Sequence, residues 1–302
     1  MLGRRVGEAI AERGPDAVVA DEVVAVAAEA DLFVLNLECC ISDRGERWRD
    51  PAKPFFFRAP PAATAVLTRL GVHCVTLANN HALDYGPDAL LDTISHLRAA
   101  GIAAVGAGAD ETAARRPTIL HAGGLRLAVV GCSDHPAEYA AGRATPGIAY
   151  GLDWVPEVVA SIDADAVLVT PHWGPNMAAA PVARVRAAAA AMRAAGATVL
   201  AGHSAHVFHG IAEGVLYDLG DFLDDYAVDP ELRNDLGLLF LVDLDELGAA
   251  RVEAVPLKLE FCHTRLAVGD EAAWIRRRFR ALCSALGTEV AEEEGRMVVA
   301  WR

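Results

Sequence analysis

The sequence contains no paired cysteine motif. Its cysteines are Cys39, Cys40, Cys74, Cys132, Cys262 and Cys283, and none forms a Cys-x-x-Cys pair. Cys74, Cys132 and Cys262 sit in apolar, strand-like runs. The set therefore reads as buried thiols in a reducing compartment, which excludes a disulfide framework. A nucleophile at Cys39 or Cys40 is the rival reading of the adjacent pair. Long hydrophobic runs are also missing. No stretch approaches the roughly 20 apolar residues of a membrane span. The opening residues, Met1 to Glu8, carry no apolar segment of a secretory signal, so the expected location is cytoplasmic. Positive charge is scarce: 27 Lys and Arg stand against 41 Asp and Glu, a net −14. That balance argues against a nucleic-acid partner. Repeats, low-complexity tracts and linkers are absent.

What is present is apolar and periodic. Hydrophobic residues make up 53% of the 302 positions, enough to bury a large core. Helical patterns are expected at residues 6–13, 21–30, 61–70, 154–162 and 182–195, and after Pro87. They alternate with apolar strands at residues 31–38, 72–78, 102–105, 125–131, 166–170 and 197–201, the pattern of an α/β protein. The last third changes character. Strands at 215–219, 238–242 and 251–260, a helix at 271–286 and an edge strand at 297–301 predict a second, antiparallel or mixed sheet. One domain over 1–302 is expected, with the motifs in 1–225 and closing strands and a helix in 226–302.

Four strands end in polar groups suited to a metal: Glu38; Asn80 with His81; His172; and His203 with His206. In open α/β sheets, ligand sites lie beyond the carboxyl ends of the strands. Neutral imidazoles with a carboxylate and a carboxamide oxygen suit a divalent Mn, Zn or Fe ion, one or two in number. Asp84, three residues after His81, is placed to orient that imidazole. Lys53, Arg58 and Asn79 are candidates for holding an anionic substrate. Each has a plainer alternative. Glu38 could be a strand-end charge, Asn79 and Asn80 turn formers, and His172 a core residue. The pair His203 and His206 could be a structural turn, Asp84 a helix cap, and Lys53 and Arg58 salt-bridge partners. Asp218 and Asp221 flank a strand end and could support ligands from behind. His73, His96 and His121 read as structural or surface residues. His135, His209 and His263 are left open.

At these residues the chain resembles the CapA family of poly-γ-glutamate capsule synthesis, within the calcineurin-like metallophosphatase superfamily. The matching stretches are Asn36-Leu37-Glu38, Phe57-Arg58-Ala59-Pro60-Pro61, Leu77 to Gly86, His172-Trp173-Gly174, Gly202 to Val207, and Tyr217 to Phe222. The resemblance implies a four-layer αββα sandwich with a metal centre at its strand ends. In it Glu38 would be the bridging carboxylate and Asn80 a ligand of one metal. His172, His203 and His206 would complete the set, with His81 as the acid/base residue. In the family, a first strand ends in Gly-Asp just before a segment like Met1-Leu2-Gly3-Arg4, and that Asp is a ligand. The expectation is that this strand is lacking here, because Met1 is internal to a longer reading frame or the chain was shortened. A lineage with one metal lost is the alternative.

The function expected is metal-dependent hydrolysis of a phosphoester, or of a γ-glutamyl or related peptide amide, through metal-activated water. One alternative is a metal-dependent peptide epimerase using His/Asp acid-base pairs. The other is a non-catalytic subunit that binds a capsule polymer. The partner is a small molecule or a peptide or polyanionic substrate, with no nucleic acid and no membrane span. Oligomeric state is left open.

Overall fold

The computed structural model describes residues 1–212, 214–245 and 248–301. Val34–Asn36, Cys74–Thr76 and Ala103–Val105 pair in parallel into a three-stranded sheet, with Val34–Asn36 at one end. A six-stranded sheet runs in the order Ile211–Ala212, Val215–Leu216, Val199–Ala201, Ala166–His172, Leu125–Ser133, Thr118–Ala122. Its four inner strands are parallel. The two outer ones are antiparallel to their neighbours. The third sheet is antiparallel: Leu236–Asp245, Gly248–Glu260, Arg296–Ala300 and Ala291–Glu293, with His263–Leu266 also on Gly248–Glu260.

Period-two burial stacks these sheets. Leu127 and Val129 face Cys74 and Val105 of the parallel sheet. Ala128 and Val130, one residue out of phase, face Val155 and Val159 of the helix Val155–Ser161 and Val185, Ala189 and Met192 of the helix Ala183–Ala194. The other face of the parallel sheet packs Val75 and Leu77 against Val66, Leu67, Leu90 and Leu97 of the helices Thr64–Arg69 and Gly86–Ala99. Helices, sheet, sheet, helices is the expected αββα order. The helix Gly269–Ser284 closes the far end, burying Ile275, Phe279 and Cys283 on the antiparallel sheet and on the edge of the six-stranded one.

Two glycines set how closely the layers meet. A Cβ on Gly131 would lie 2.6 Å from Thr76 Oγ1 and 2.9 Å from the Gly106 Cα. Gly106 also has φ +80°, where a side chain is strained. The strand ends of the two sheets are drawn together at this crossing.

The expected elements shorten at their ends. The run 31–38 is paired only over Val34–Asn36, because it is an end strand with one partner. Asp21 is the first residue of its helix, and its carboxylate pairs with Arg69. The hairpin partner Thr118–Ala122 escaped the pattern because its residues alternate between half-buried and exposed. The expected second sheet loses its first strand: Val215–Leu216 pairs in parallel with Val199–Ala201 in the six-stranded sheet, and among the described residues no ladder joins the antiparallel sheet to the parallel one. All six cysteines are free and buried, as expected. Cys262, however, lies in the turn between two strands, with φ 59°. Burial pushes the Cys39 thiol up to about 11 and the Cys40 thiol up to about 12, which removes the thiolate a nucleophile needs.

Candidate metal centre

The parallel sheet delivers its polar residues on a clamp of carboxamides. Asn79 Nδ2 donates to Asn36 Oδ1 at 2.9 Å and to the Leu37 carbonyl at 3.0 Å. Asn36 Nδ2 donates to Glu38 Oε2 at 2.9 Å, and the His81 amide donates to Asn79 Oδ1 at 3.0 Å. Asn79, expected at the substrate, is thus fully buried and occupied in joining the Glu38 loop to the His81 loop.

His81 is held by Asp84. Its Nδ1 lies 2.6 Å from Asp84 Oδ2, and its ring stacks on Phe57 at 3.8 Å between centroids. Asp84 has no exposed surface and accepts three further bonds: Phe57 N at 2.6 Å, Lys53 Nζ at 3.0 Å and Tyr139 Oη at 3.2 Å. The helix Gly86–Ala99 has no side-chain cap, so orientation and not capping is what Asp84 does. Lys53 Nζ also donates to the Asn80 carbonyl at 2.7 Å. Arg58 points away, over the Tyr85 ring at 4.1 Å. His81 Nε2 faces Glu38 Oε1 across 3.9 Å, beyond hydrogen-bond reach.

The six-stranded sheet supplies the other half. His172 ends the strand Ala166–His172, and His203 lies two residues past Val199–Ala201. Their Nδ1 atoms are 2.7 Å apart. Burial holds both imidazoles neutral, aided by the neighbouring histidines: His172 falls well below its ordinary value and His203 to about 3. Gly202 makes this possible, since a Cβ there would sit 2.3 Å from Trp173 Nε1 and from the Tyr217 carbonyl. The loop then turns through left-handed backbone at Ser204 (φ 133°) and His206 (φ 60°), the kind of strain that marks functional sites. Asp218 anchors it, accepting from Ala205 N at 2.7 Å and Gly220 N at 2.9 Å. Burial lifts Asp218 to about 7 despite those bonds. His206 Nδ1 meets Asp221 Oδ1 at 2.9 Å. Burial opposes the charge on His206, but Asp221, Glu38 and Asp218 outweigh it and raise it to about 10.

The halves meet. Glu38, His203, His206, Asp218 and Asp221 line one cavity. Glu38 contributes to the raised His206, and His81 to the lowered His172. Asp134 and His135 join them, unassigned by sequence reasoning. The His135 ring is 4.9 Å from that of His172, and its Nδ1 bonds Asp134. Asp134 is tied in turn to Gly174 N at 3.0 Å and Arg184 at 2.9 Å. Its signal was a fifth strand end, Ser133-Asp134-His135. His209 and His263 bond the Ala178 and Ala17 carbonyls and stay structural.

Three buried atoms of the expected ligands have no hydrogen-bond partner: Glu38 Oε1, Asn80 Oδ1 and His203 Nε2. Asp221 Oδ2 is a fourth unpartnered atom beside them. Buried polar atoms are rarely left so. One imidazole nitrogen, two carboxylate oxygens and a carboxamide oxygen are a donor set that suits a borderline divalent ion. Among the described residues, no three His, Cys, Asp or Glu side chains are already drawn into a cage. The residues fit such an ion chemically and would close on it.

A family model described as "Bacterial capsule synthesis protein PGA_cap" matches residues 1–226. A "Probable polyglutamine synthesis accessory protein" of Mycobacterium tuberculosis is 32% identical, over 86% of this chain and 74% of its own length. The "PGA biosynthesis protein CapA" of Bacillus subtilis is 27% identical, over 86% and 69%. The "Capsule biosynthesis protein CapA" of Bacillus anthracis is 29% identical, over 86% and 66%. Among solved structures, a hypothetical protein from Thermus thermophilus aligns with TM-score 0.45 at 18% identity, over 84% of this chain and 92% of that one. A structure described as a novel phosphatase from Mycoplasma pneumoniae aligns with TM-score 0.44 at 11% identity, over 86% and 85%.

Proposed function

The chain belongs to the bacterial capsule synthesis protein PGA_cap family, and from that premise we propose that its strand ends form a metal-dependent hydrolytic centre. The substrate class is an anionic phosphoester or a γ-glutamyl or related peptide amide. The observation that carries this reading is the set of unpartnered buried atoms, Glu38 Oε1, Asn80 Oδ1 and His203 Nε2, beside an oriented His81.

Glu38, Asn80, His172, His203 and His206 would hold the ion, which supplies Lewis acidity: it lowers the pKa of water and polarises a phosphoryl or carbonyl oxygen. The chain's own residues do the rest. Asp84 accepts the Nδ1–H of His81 and stabilises its imidazolium, so Nε2, on the Glu38 side, carries the second proton and gives it to the leaving oxygen or nitrogen, which returns the ring to the neutral Nδ1–H tautomer. Phe57, stacked on the ring, shields that pair from water. Lys53 steadies Asp84 and the Asn80 carbonyl. Arg4 lies over Phe57, the ring stacked on His81, and would be the cation to receive an anionic substrate.

Metal content by elemental mass spectrometry, with turnover of a panel of phosphoesters and γ-glutamyl peptides, tests this. About one or two equivalents are expected in the wild type. They should be lost in His203→Ala, and retained without turnover in His81→Ala. A metal-loaded protein that turns over none of the panel would defeat the hydrolase reading. The second reading, a non-catalytic polymer-binding subunit, draws on the lack of a preformed cage among the described residues. It predicts poly-γ-glutamate binding that survives both substitutions.

A further inference from the structure

Three neighbouring strands of the six-stranded sheet, Leu125–Ser133, Ala166–His172 and Val199–Ala201, end side by side. Ser133 is paired across to His172, and His172 is bridged in parallel to His203. Two of these strand ends give an imidazole to the candidate metal centre. The third gives one two residues later, at His135. Its backbone is held there: Asp134 N donates to the His172 carbonyl at 3.0 Å, and His135 N donates to Ser133 Oγ at 3.3 Å. The loop runs on to Tyr139, whose hydroxyl donates to Asp84 at 3.2 Å. It thus reaches from the ligand half of the site to the acid/base half.

The ring spacing is that of shared ligands. The His135 centroid lies 4.9 Å from that of His172, and the His172 centroid 4.9 Å from that of His203. Two imidazoles on one ion, each bonded at about 2.1 Å, hold their centres roughly 5 Å apart. The hydrogen bonding agrees. His135 Nδ1 is bonded to Asp134. A carboxylate can only accept, so Nδ1 carries the proton and the neutral ring presents a bare lone pair at Nε2. Among the described residues that nitrogen has no hydrogen-bond partner. Ligating imidazoles commonly give their other N–H to a carboxylate in this way, and His206, an expected ligand, meets Asp221 at 2.9 Å. Asp134 is itself anchored, accepting from Gly174 N at 3.0 Å and Arg184 at 2.9 Å, so the ring is oriented from behind. The His135 side chain is 37% exposed, whereas His172 and His203 are buried. It stands on the solvent side of that pair.

Resting on the metal-centre reading above, we propose that His135 is a further ligand of that ion through Nε2, with Asp134 as its positioning residue. A third imidazole beside His172 and His203 makes the donor set rich in nitrogen. Such a set selects zinc, cobalt or nickel over magnesium or calcium, which prefer oxygen. The plainer role of the pair is a clamp that ties this loop to Gly174 and Arg184. A clamp needs the Asp134 carboxylate but no imidazole at position 135.

Titration of the purified chain with cobalt(II), followed by visible absorption, tests this without any substrate. Wild type should bind cobalt with the absorption of a nitrogen-ligated ion, and a large excess of magnesium should not displace it. His135→Ala should bind about 100-fold more weakly and Asp134→Asn, which keeps the volume, about tenfold more weakly. Both should alter the absorption. In proton NMR of the cobalt-loaded wild type, each ligating ring shifts its N–H far outside the ordinary range, and His135→Ala should lose one such signal. Unchanged affinity, absorption and shifted signals in His135→Ala would overturn the proposal and leave the clamp; displacement by magnesium would overturn it too. The two readings fail differently. Cobalt binding that His203→Ala loses and His135→Ala keeps defeats this inference alone. A wild type that takes up no cobalt defeats the metal-centre reading, and this inference with it.

Discussion

Asp84 gathers four donors from distant parts of the chain: the Phe57 amide, Lys53, Tyr139 and His81. Its carboxylate spends Oδ2 on the imidazole and the amide, and Oδ1 on the ammonium and the phenol. Asp84→Asn keeps the volume and removes the charge that fixes the His81 tautomer. Turnover should fall by about 10²–10⁴ with metal content and KM unchanged; steady-state kinetics with elemental mass spectrometry checks both. A purely structural role would lower stability and metal content together. Asp235 is a second buried carboxylate, far from this chemistry. Burial pushes its pKa up, but hydrogen bonds from Arg233 (2.7 Å) and Lys258 outweigh that and bring it below 3.8. With the folded value depressed, its contribution is fully present above the unfolded value and disappears as pH falls through the folded one. Asp235→Asn should therefore cost about 2 kcal/mol at neutral pH and much less near pH 2, read as urea midpoints at the two pH values.

At the scale of elements, the site depends on where strands stop. Gly131 and Gly106 let two sheets cross with only backbone between them. Gly131→Ala puts a methyl 2.6 Å from Thr76 Oγ1 and against a backbone that cannot yield cheaply. A loss of about 1–3 kcal/mol is expected, measurable by denaturant titration, with activity falling as the strand ends separate. This crossing also shows how much the sequence disclosed. Strand ends were legible because an apolar run that breaks into Asn-Asn-His or Gly-His is visible without coordinates. Glu38, His81, Asp84, His172, His203 and His206 were picked out that way, and the structure brings them to the meeting of the two sheets. What could not be read is which loops fold back: Asp134 and His135 follow a strand end too, yet only the sheet order puts them beside His172. Asn79 was misplaced for a related reason. A carboxamide at a strand end looks the same whether it faces a substrate or ties two loops together. Tyr139 and Phe57 carry no motif at all; their place beside Asp84 and His81 comes from tertiary packing alone.

At the scale of the whole molecule, the four hydrophobic clusters each contain a cysteine. Cys39 and Cys262 lie in the one under the N-terminal helices, Cys132 in the outer helical layer, Cys283 beneath the C-terminal helix, and Cys74 between the stacked sheets. Burial keeps the Cys132 and Cys74 thiols protonated as well, Cys74 up to about 12. The native protein should thus take up iodoacetamide very slowly, and only through opening events. In dilute urea, peptide mass mapping should find Cys262, at its turn, modified well before Cys74; simultaneous modification would mean that the cores open as one. Reactivity absent from the chemistry of the site thereby becomes a set of built-in reporters. Without any engineered label, the chain carries a marker in every layer for the order in which its architecture comes apart.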